Sequence, residues 1–423
     1  MNSTTSNQEN KPINTNGATS VKGKKPRIFY FDALRALAIV SVIIIHVYTL
    51  TRIHIMGSYG IIPSFEWIYT QIVGNTFRIG VDLFLVLSGA LSLGRVWSIK
   101  SFLGKRIPRI IEPFLFWGLF LSAILILLSY FFNYPYLNSF DIYSILNFVY
   151  GAFMAKSLGF APYWFFWMIL GTYLIMPIFN KWILHSELGE LEYFLAIWLI
   201  TCLFTFTLKS DFPVKLSYFT SPIGLVVLGY YLRYTERKIL NNPYFGIFLI
   251  LLSSGLMLMF SYIYSSTTSF FNFDRYSFLT AFVVIGVFIL FKNFNELKLI
   301  GKNSKKTVNE LKLIGKNSKK TANELKNDEF INIQNNKINS MVSSSNQNSL
   351  FRKFVFSLAK YSYGIYLIHT AILSIIFRTL NYSMFGNYNL YVISLFLLDL
   401  FISLIVMSLF NRIPYVNRVI GAK

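Results

Sequence analysis

Long apolar runs recur along the chain at intervals typical of a bundle of membrane-spanning helices. Each run holds 18 to 25 residues, close to the ~20 that an α-helix needs to cross the hydrocarbon core of a bilayer. The pattern therefore predicts an all-α, polytopic integral membrane protein with about ten transmembrane helices. The predicted spans are 29–50, 72–94, 111–132, 163–183, 191–209, 216–233, 243–264, 275–292, 354–378 and 389–411.

Polar segments divide these spans into groups. Residues 1–28, rich in Asn, Ser, Thr and Lys, are predicted to be a disordered cytoplasmic tail. Spans one to eight (29–292) are separated from the last two (354–411) by a Lys- and Asn-rich segment, 293–353, and residues 412–423 follow as a short cytoplasmic tail. The 293–353 segment contains NELKLIGKNSKKTV followed by NELKLIGKNSKKTA. We interpret it as a disordered linker with a duplication; lysine-mediated attachment to anionic lipids is the alternative.

The basic residues predict the orientation of the spans. If the N-terminus lies inside, the inner segments hold 30 Lys and Arg residues, whereas the outer loops and outer helix ends hold seven. Cytoplasmic loops carry an excess of Lys and Arg in membrane proteins. Both termini are therefore predicted to be cytoplasmic, in a multi-pass protein of the plasma membrane.

Composition excludes several other classes of protein. The chain is 54% hydrophobic and 13% charged, whereas about a quarter of the residues of a soluble domain are charged. The net charge of +21 is concentrated in alternate loops, so we expect no nucleic-acid partner. Cys202 is the only cysteine, which excludes an intrachain disulfide and a cysteine-based metal site. We expect no metal cofactor.

The first span carries three ionisable residues, Asp32, Arg35 and His46. Such residues raise the free energy of a spanning helix and are usually functional. Arg35 and His46 are 11 positions apart, so they share one helix face and differ in depth by roughly 16 Å. Asp32 lies three residues before Arg35 and can pair with it. The alternative is an arginine that extends to the headgroups and a histidine that only hydrogen-bonds a neighbouring helix.

A second basic group precedes the third span. Arg106 and Arg109 are three positions apart, so they lie on one side of a helical turn. Arginine binds phosphate in a bidentate manner, so the pair suits a phosphate-bearing cytosolic ligand. Ordinary positive loop charge explains the same residues, and taken alone this group favours that explanation. Glu112 follows at the membrane edge and can pair with one of the two arginines.

Other polar residues occur inside the predicted spans. Asp82 lies in the second span, which is predicted to enter the membrane from the outer side, and the Ser88–Gly89 pair in the same span allows another helix to approach closely. His369 lies in the ninth span and Asp399 in the tenth. A structural hydrogen bond is one explanation for His369 and the favoured one for Asp399.

Taken together, these residues resemble the membrane acyltransferase-3 family of polytopic acyl-CoA-dependent transferases. The likeness covers nearly all of residues 29–411. It depends on the order of several fragments along the spans, each of which is weak alone. The fragments are Arg35 with ten residues to His46, GVDLFLVLSG at 80–89, KRIPR at 105–109, PYWFFWMILGTYLIMPIF at 162–179, SPIGLVVLGYYLR at 221–233 and SYGIYLIH at 362–369.

The resemblance implies roles for particular residues. It associates the Arg-to-His motif and the Arg-x-x-Arg motif with acyl-CoA use and catalysis. The predicted catalytic residues are Arg35 and His46, and Arg35 also joins the predicted donor-binding residues. The other predicted donor-binding residues are Arg106 and Arg109. The predicted supporting residues are Asp32, Asp82, Ser88, Glu112, Trp164 and His369.

The sequence and the resemblance lead to one favoured function. The chain is expected to be an acyl-CoA-dependent O-acyltransferase, with acetyl-CoA as the expected co-substrate. The resemblance implies a glycan or glycolipid acceptor at the membrane lipid. His46 would act either as a general base or as an acylated relay. The alternatives are a transporter or flippase for a polysaccharide or lipid intermediate, and a scaffold that recruits partners through the Lys-rich linker.

Overall fold

The computed structural model describes residues 27–58, 65–210, 217–264, 273–294 and 350–422, and every regular element within these ranges is helical. Most of the predicted N-terminal tail and of the linker with its tandem repeat lies outside the described residues. The α-helices are α1 (Phe29–Ser58), α2 (Phe65–Thr76), α3 (Gly80–Ser92), α4 (Ile99–Arg106), α5 (Pro108–Phe132), α6 (Ile142–Phe153), α7 (Trp164–His185), α8 (Leu188–Thr201), α9 (Ser217–Tyr234), α10 (Pro243–Tyr264), α11 (Phe278–Lys292), α12 (Leu350–Thr379), α13 (Tyr388–Phe410) and the short α14 (Val416–Val419).

A helix occupies each of the ten predicted apolar runs. Two of the runs contain an irregularity that hydropathy does not indicate: a 3-10 turn, Phe77–Ile79, joins α2 to α3, and a π-helical segment, Cys202–Leu208, continues α8. Seven helical stretches of the described chain are long and apolar enough to cross a membrane. The runs at α9, α11 and α12 are not among these seven, so the count of ten crossings and the cytoplasmic termini stay predictions.

Two helices lie in segments predicted to be loops. α4 precedes α5, and Pro108 at the start of α5 explains the break between them, because proline suits the first turn of a helix but not its interior. α6 begins after Asp141, whose side chain accepts a hydrogen bond from the backbone N–H of Ser144. Hydrogen bonds from Ser139 and Ser144 hold the pKa of the Asp141 carboxyl well below its usual range.

The centre of the bundle is built around α1, which packs against α3, α12 and α13. Its apolar residues Leu34, Ile39 and Ile43 are fully buried, whereas the outer helix α5 exposes Leu115 and Leu119. Exposed apolar side chains on the outside of the bundle fit contact with lipid, which is as apolar as they are. The first span is therefore the central helix of the protein, where its charged residues are surrounded by other helices.

α3 and α9 approach each other closely through two glycines. A Cβ atom on Gly89 would meet the carbonyl oxygen of Val226, and a Cβ on Gly229 would meet that of Val86. Small residues let helix backbones pack in contact inside membranes. The predicted close approach at Gly89 is confirmed, and it places the adjacent Ser88 beside the centre of the bundle.

Candidate active site

A cavity of about 450 Å³ lies between α1, α3, α5, α7 and α12, on the side predicted to face the cytoplasm. Its volume is within the range of small-molecule sites, ~300–1,000 Å³. None of the described residues that line it is acidic, so its field favours an anionic ligand. Its cationic lining residues are Arg27, Arg35, Arg95, Arg106, Arg109 and Lys360.

Asp32 fixes two of these cations from behind the cavity wall. Its side chain is 2% exposed. It accepts hydrogen bonds from Nε and Nη2 of Arg27, at 2.5 and 3.0 Å, and from Nη1 of Arg35 at 3.1 Å. The predicted pair between Asp32 and Arg35 is therefore present in the structure. Because one buried carboxylate holds both guanidinium groups, their positions at the cavity are defined before a ligand binds.

The two arginines before the third span also reach the cavity. Arg106 ends α4 and Arg109 lies in the first turn of α5. Nη2 of Arg106 donates a hydrogen bond to Ser92 Oγ at 2.7 Å, and Arg106 lies within electrostatic range of Arg35. Arg109 is exposed. This arrangement continues the positive surface from the interior of the bundle to its edge.

Aromatic side chains line the deeper part of the cavity. Phe84, Phe165 and Tyr366 contribute to the wall, and the rings of Phe165 and Tyr366 lie 4.9 Å apart. Tyr366 Oη donates a hydrogen bond to the carbonyl oxygen of Pro162 at 2.9 Å. Ser88 also lines this part, and its hydroxyl donates to the Phe84 carbonyl oxygen at 2.8 Å.

Two histidines lie beyond these aromatic residues. The ring of Tyr366 is 5.9 Å from that of His369, and the His369 ring is 5.2 Å from the ring of His46. His46 is partly buried, whereas His369 is fully buried. Neither histidine lines the cavity. Tyr366 therefore links the cavity, which it lines, to His369, the nearer member of the histidine pair.

A third group of polar residues lies near the histidines. The guanidinium of Arg275 lies 3.9 Å from the ring centre of Trp164, a cation–π contact. Its charge is within electrostatic range of His46 and Asp82. Asp82 is completely buried, and neither of its carboxylate oxygens has a hydrogen-bond partner among the residues that the structure describes. Among those residues, no three His, Cys, Asp or Glu side chains form a metal-binding group.

A family model of an acyltransferase domain, that of the acyltransferase-3 family, matches residues 28–318, more than two thirds of the chain. The chain belongs to the acyltransferase-3 family. No curated protein and no solved structure matches the chain. The matched range includes α1 to α11, with Arg35, His46 and both arginines near α5, and it ends before α12, so the resemblance of His369 to the family pattern stays an expectation.

The geometry of this acyltransferase divides the predicted site residues into two groups. Arg35, Arg106, Arg109 and Ser88 line the cavity, with Asp32 behind them. His46 and His369 lie next to each other, and Arg275 lies near His46, Trp164 and Asp82. None of the four predicted residues in this second group lines the cavity. Tyr366 connects the two groups, because it lines the cavity and its ring lies 5.9 Å from that of His369.

Glu112 is the exception among the predicted supporting residues. Its side chain is exposed, it does not line the cavity, and it makes no ion pair with any described residue. The expected pairing with Arg106 or Arg109 is wrong. Arg106 instead uses its guanidinium to bond Ser92, and an exposed carboxylate keeps its hydration more readily than it forms a surface ion pair.

Sequence reasoning did not select several residues of this acyltransferase site. Arg27 and Arg95 count among the inner basic residues and Lys360 lies inside the ninth predicted span, yet all three line the cavity. Arg275 was counted only as an outer-end charge. Tyr366 was quoted only inside the SYGIYLIH fragment; its spacing of three residues from His369 puts both on one side of α12 and could have indicated a shared site.

Proposed function

We propose that this acyltransferase moves an acyl group from a cytosolic acyl-CoA to a hydroxyl of a cell-surface or lipid-linked carbohydrate in the plasma membrane. Acetyl is the expected group. The observation that supports this proposal most is the cavity with six cationic and no acidic lining residues among those described, whose deep end adjoins two histidines. Membership of the family supports acyl transfer at a membrane; the donor, acceptor and residue roles are the proposal.

The chemistry of acyl-CoA fits the division of the cavity. Its phosphates are anionic, and arginine forms bidentate, charge-assisted hydrogen bonds to phosphate. Arg106 and Arg109 at the edge, with Arg27 and Arg35 further in, would hold these phosphates. The pantetheine arm is long and less polar than the nucleotide, so it would extend along the aromatic wall and place the thioester next to Tyr366.

The proposal assigns Tyr366 the role of a gate. The thioester must meet the histidines for transfer, and Tyr366 both lines the cavity and lies 5.9 Å, ring to ring, from His369. A single hydrogen bond to the Pro162 carbonyl holds its hydroxyl. Rotation of this side chain when the donor binds would bring the thioester within reach of the histidines, and at other times the ring would keep the two apart.

In the transfer step, His46 moves the proton from the attacking hydroxyl to the leaving sulfur. The acceptor oxygen attacks the thioester carbonyl carbon, the carbon–sulfur bond breaks, and the ester forms. His46 takes the hydroxyl proton as a general base and returns it to the sulfur, so CoA leaves as a thiol; such catalysis is typically worth ~10²–10⁴-fold. In the covalent variant, the imidazole of His46 first displaces the thiol and then passes the acyl group to the hydroxyl.

The acceptor would reach His46 from the side opposite the cavity. Trp164 offers an aromatic face, and Arg275 and Asp82 offer a cation and a carboxylate near the same histidine. Pyranose rings are bound by combinations of an aromatic face and polar groups that bond hydroxyls. We therefore assign the donor to the side of Arg35 and the carbohydrate to the side of Arg275.

The test uses membrane vesicles that contain the full-length chain, supplied with radiolabelled acetyl-CoA and the envelope glycans of the expressing cells. The wild-type protein should release free CoA thiol and label the glycan fraction. The His46→Ala variant should lower both rates by ~10²–10⁴-fold, while it still binds acetyl-CoA. His185→Ala is the matched control, because His185 is an exposed histidine at the end of α7, and it should keep wild-type rates.

Two outcomes would overturn the proposal. Unchanged labelling with His46→Ala would remove His46 from the mechanism. Movement of a lipid-linked glycan across vesicles of purified protein, with no consumption of acetyl-CoA, would instead support the flippase alternative.

A further inference from the structure

His369 has a fixed orientation inside the bundle. Its Nδ1 lies 3.0 Å from the backbone carbonyl oxygen of Ile365, one turn earlier in α12. A carbonyl oxygen only accepts, so Nδ1 carries the hydrogen and Nε2 carries the lone pair. The neighbouring Thr370 is also held in place, since its hydroxyl donates to the Gly159 carbonyl oxygen at 2.6 Å.

Among the described residues, no hydrogen-bond donor pairs with the lone pair on Nε2 of His369. His369 is fully buried, and no described group forms a hydrogen bond with Nε2. Buried polar atoms in proteins are almost always paired, so an exception in a native structure requires an explanation, of which a catalytic role is one. The hydrogen bond to the Ile365 carbonyl oxygen accounts for Nδ1 of His369. It does not account for Nε2, an acceptor without a hydrogen-bond donor that lies on a ring next to a second imidazole.

The second imidazole is that of His46, whose ring centre is 5.2 Å from that of His369. At this separation, ring edges that turn toward each other come within reach of a direct hydrogen bond of about 3 Å. Two positive imidazolium rings this close would repel each other. The pair is therefore suited to hold one added proton between two rings.

We propose that His369 is a second catalytic histidine and that its Nε2 receives the proton collected by His46. This inference rests on the proposed function. As the acceptor oxygen bonds to the thioester carbon, its proton passes to His46 and on to His369 Nε2, which becomes an imidazolium. When the carbon–sulfur bond breaks, the proton returns through His46 to the sulfur, and both rings are neutral again. No further reactant is required.

The test compares His369→Asn with His46→Ala and with the double variant, in the vesicle assay of thiol release from acetyl-CoA. The Asn amide N–H can still donate to the Ile365 carbonyl oxygen, so this change keeps the anchor and removes the Nε2 base. We expect kcat for thiol release to fall by ~10²-fold or more, with unchanged KM for acetyl-CoA. Because residues that act as one unit are not additive, the double variant should be no slower than His46→Ala alone.

His185→Asn provides the matched control, because Nδ1 of this exposed histidine makes the same contact, 2.8 Å from the carbonyl oxygen four residues earlier; its kcat should not change. Wild-type kcat for His369→Asn would overturn the inference and leave the proposed function intact. A fall that multiplies with that of His46→Ala would also overturn it, because it would indicate an independent structural role. Absence of thiol release by the wild-type protein would instead contradict the proposed function.

Discussion

Arg27 and Asp32 form a two-point ion pair at the start of the first span, with the two guanidinium nitrogens 2.5 and 3.0 Å from the carboxylate oxygens. The same carboxylate binds Arg35. One buried acid thus positions two of the cavity's cations, which connects the polar residues of the first span to the binding of an anionic donor. All three groups lie within nine consecutive residues, 27–35.

Asp32→Asn should raise the KM for acetyl-CoA about tenfold, equivalent to about 1.4 kcal/mol. The neutral amide forms no ion pair with either guanidinium, and its single oxygen replaces the two carboxylate oxygens that accept from Arg27 and Arg35. The added net positive charge should attract the donor only weakly more, because salt screens an already cationic cavity. Steady-state thiol release measures the KM. Glu112→Gln is the control: it also replaces a carboxylate with an amide, but at an exposed residue that does not line the cavity. A lower KM in Asp32→Asn would contradict this prediction. It would show that the main effect of the Asp32 carboxylate is to reduce the positive charge of the cavity.

Arg106→Gln and Arg109→Gln should each raise the KM for acetyl-CoA several-fold and leave kcat nearly unchanged, because phosphate contacts far from the thioester contribute equally to ground and transition states. The salt dependence of the KM should weaken in both variants. Lys105→Gln is the control: it removes an adjacent exposed cation that does not line the cavity. If the acceptor KM moved in place of the donor KM, the cavity would have been assigned to the wrong substrate.

Gly89→Ala and Gly229→Ala should each lower the stability of the bundle by about 1–3 kcal/mol, the usual penalty for overpacking. Each new methyl group would meet a backbone carbonyl of the facing helix, and a backbone cannot move aside as a side chain can. Thermal unfolding of the detergent-solubilised protein measures the change. Gly255→Ala in α10 is the control, because nothing lies within 4 Å of its Cβ position; the better helix propensity of alanine should leave stability equal or slightly higher.

Replacing residues 295–322, which contain both copies of the repeat, with a Gly/Ser segment of equal length should leave most of the acyl transfer in place. This prediction depends on sequence alone, because those residues lie outside the described part of the chain. The cavity-lining residues that the structure describes, together with His46 and His369, lie elsewhere in the sequence. The vesicle assay measures the remaining rate. Complete loss of transfer with normal amounts of protein in the membrane would support the scaffold alternative.

Local sequence features determined more of the fold than of the site. Apolar runs located helices at all ten predicted positions, since the length of an apolar stretch is a local property. The 5.2 Å approach of His46 and His369 could not be predicted, because it depends on how α1 packs against α12, 323 positions away in sequence. The position of Tyr366, which lines the cavity and lies next to His369, is a tertiary property of the same kind. Arg35 and Asp32, by contrast, are neighbours on one helix, so their pairing followed from spacing alone.

Arg275 and Trp164 provide the test of the acceptor side. Arg275→Gln should lower transfer to glycan at least tenfold while acetyl-CoA binding stays unchanged, because Arg275 is near His46 but does not line the donor cavity. Trp164→Phe keeps a ring for the cation–π contact and should have a smaller effect than Trp164→Leu, since tryptophan provides the strongest such contact and leucine none.

The measurements are labelled glycan formed from radiolabelled acetyl-CoA and, separately, equilibrium binding of acetyl-CoA. Arg378→Gln is the control, since Arg378 is another cation beside an aromatic ring, 5.6 Å from that of Tyr136, and it should retain wild-type transfer. Weakened acetyl-CoA binding in Arg275→Gln would contradict the division of the site, because a residue near His46 that does not line the cavity would then be holding the donor.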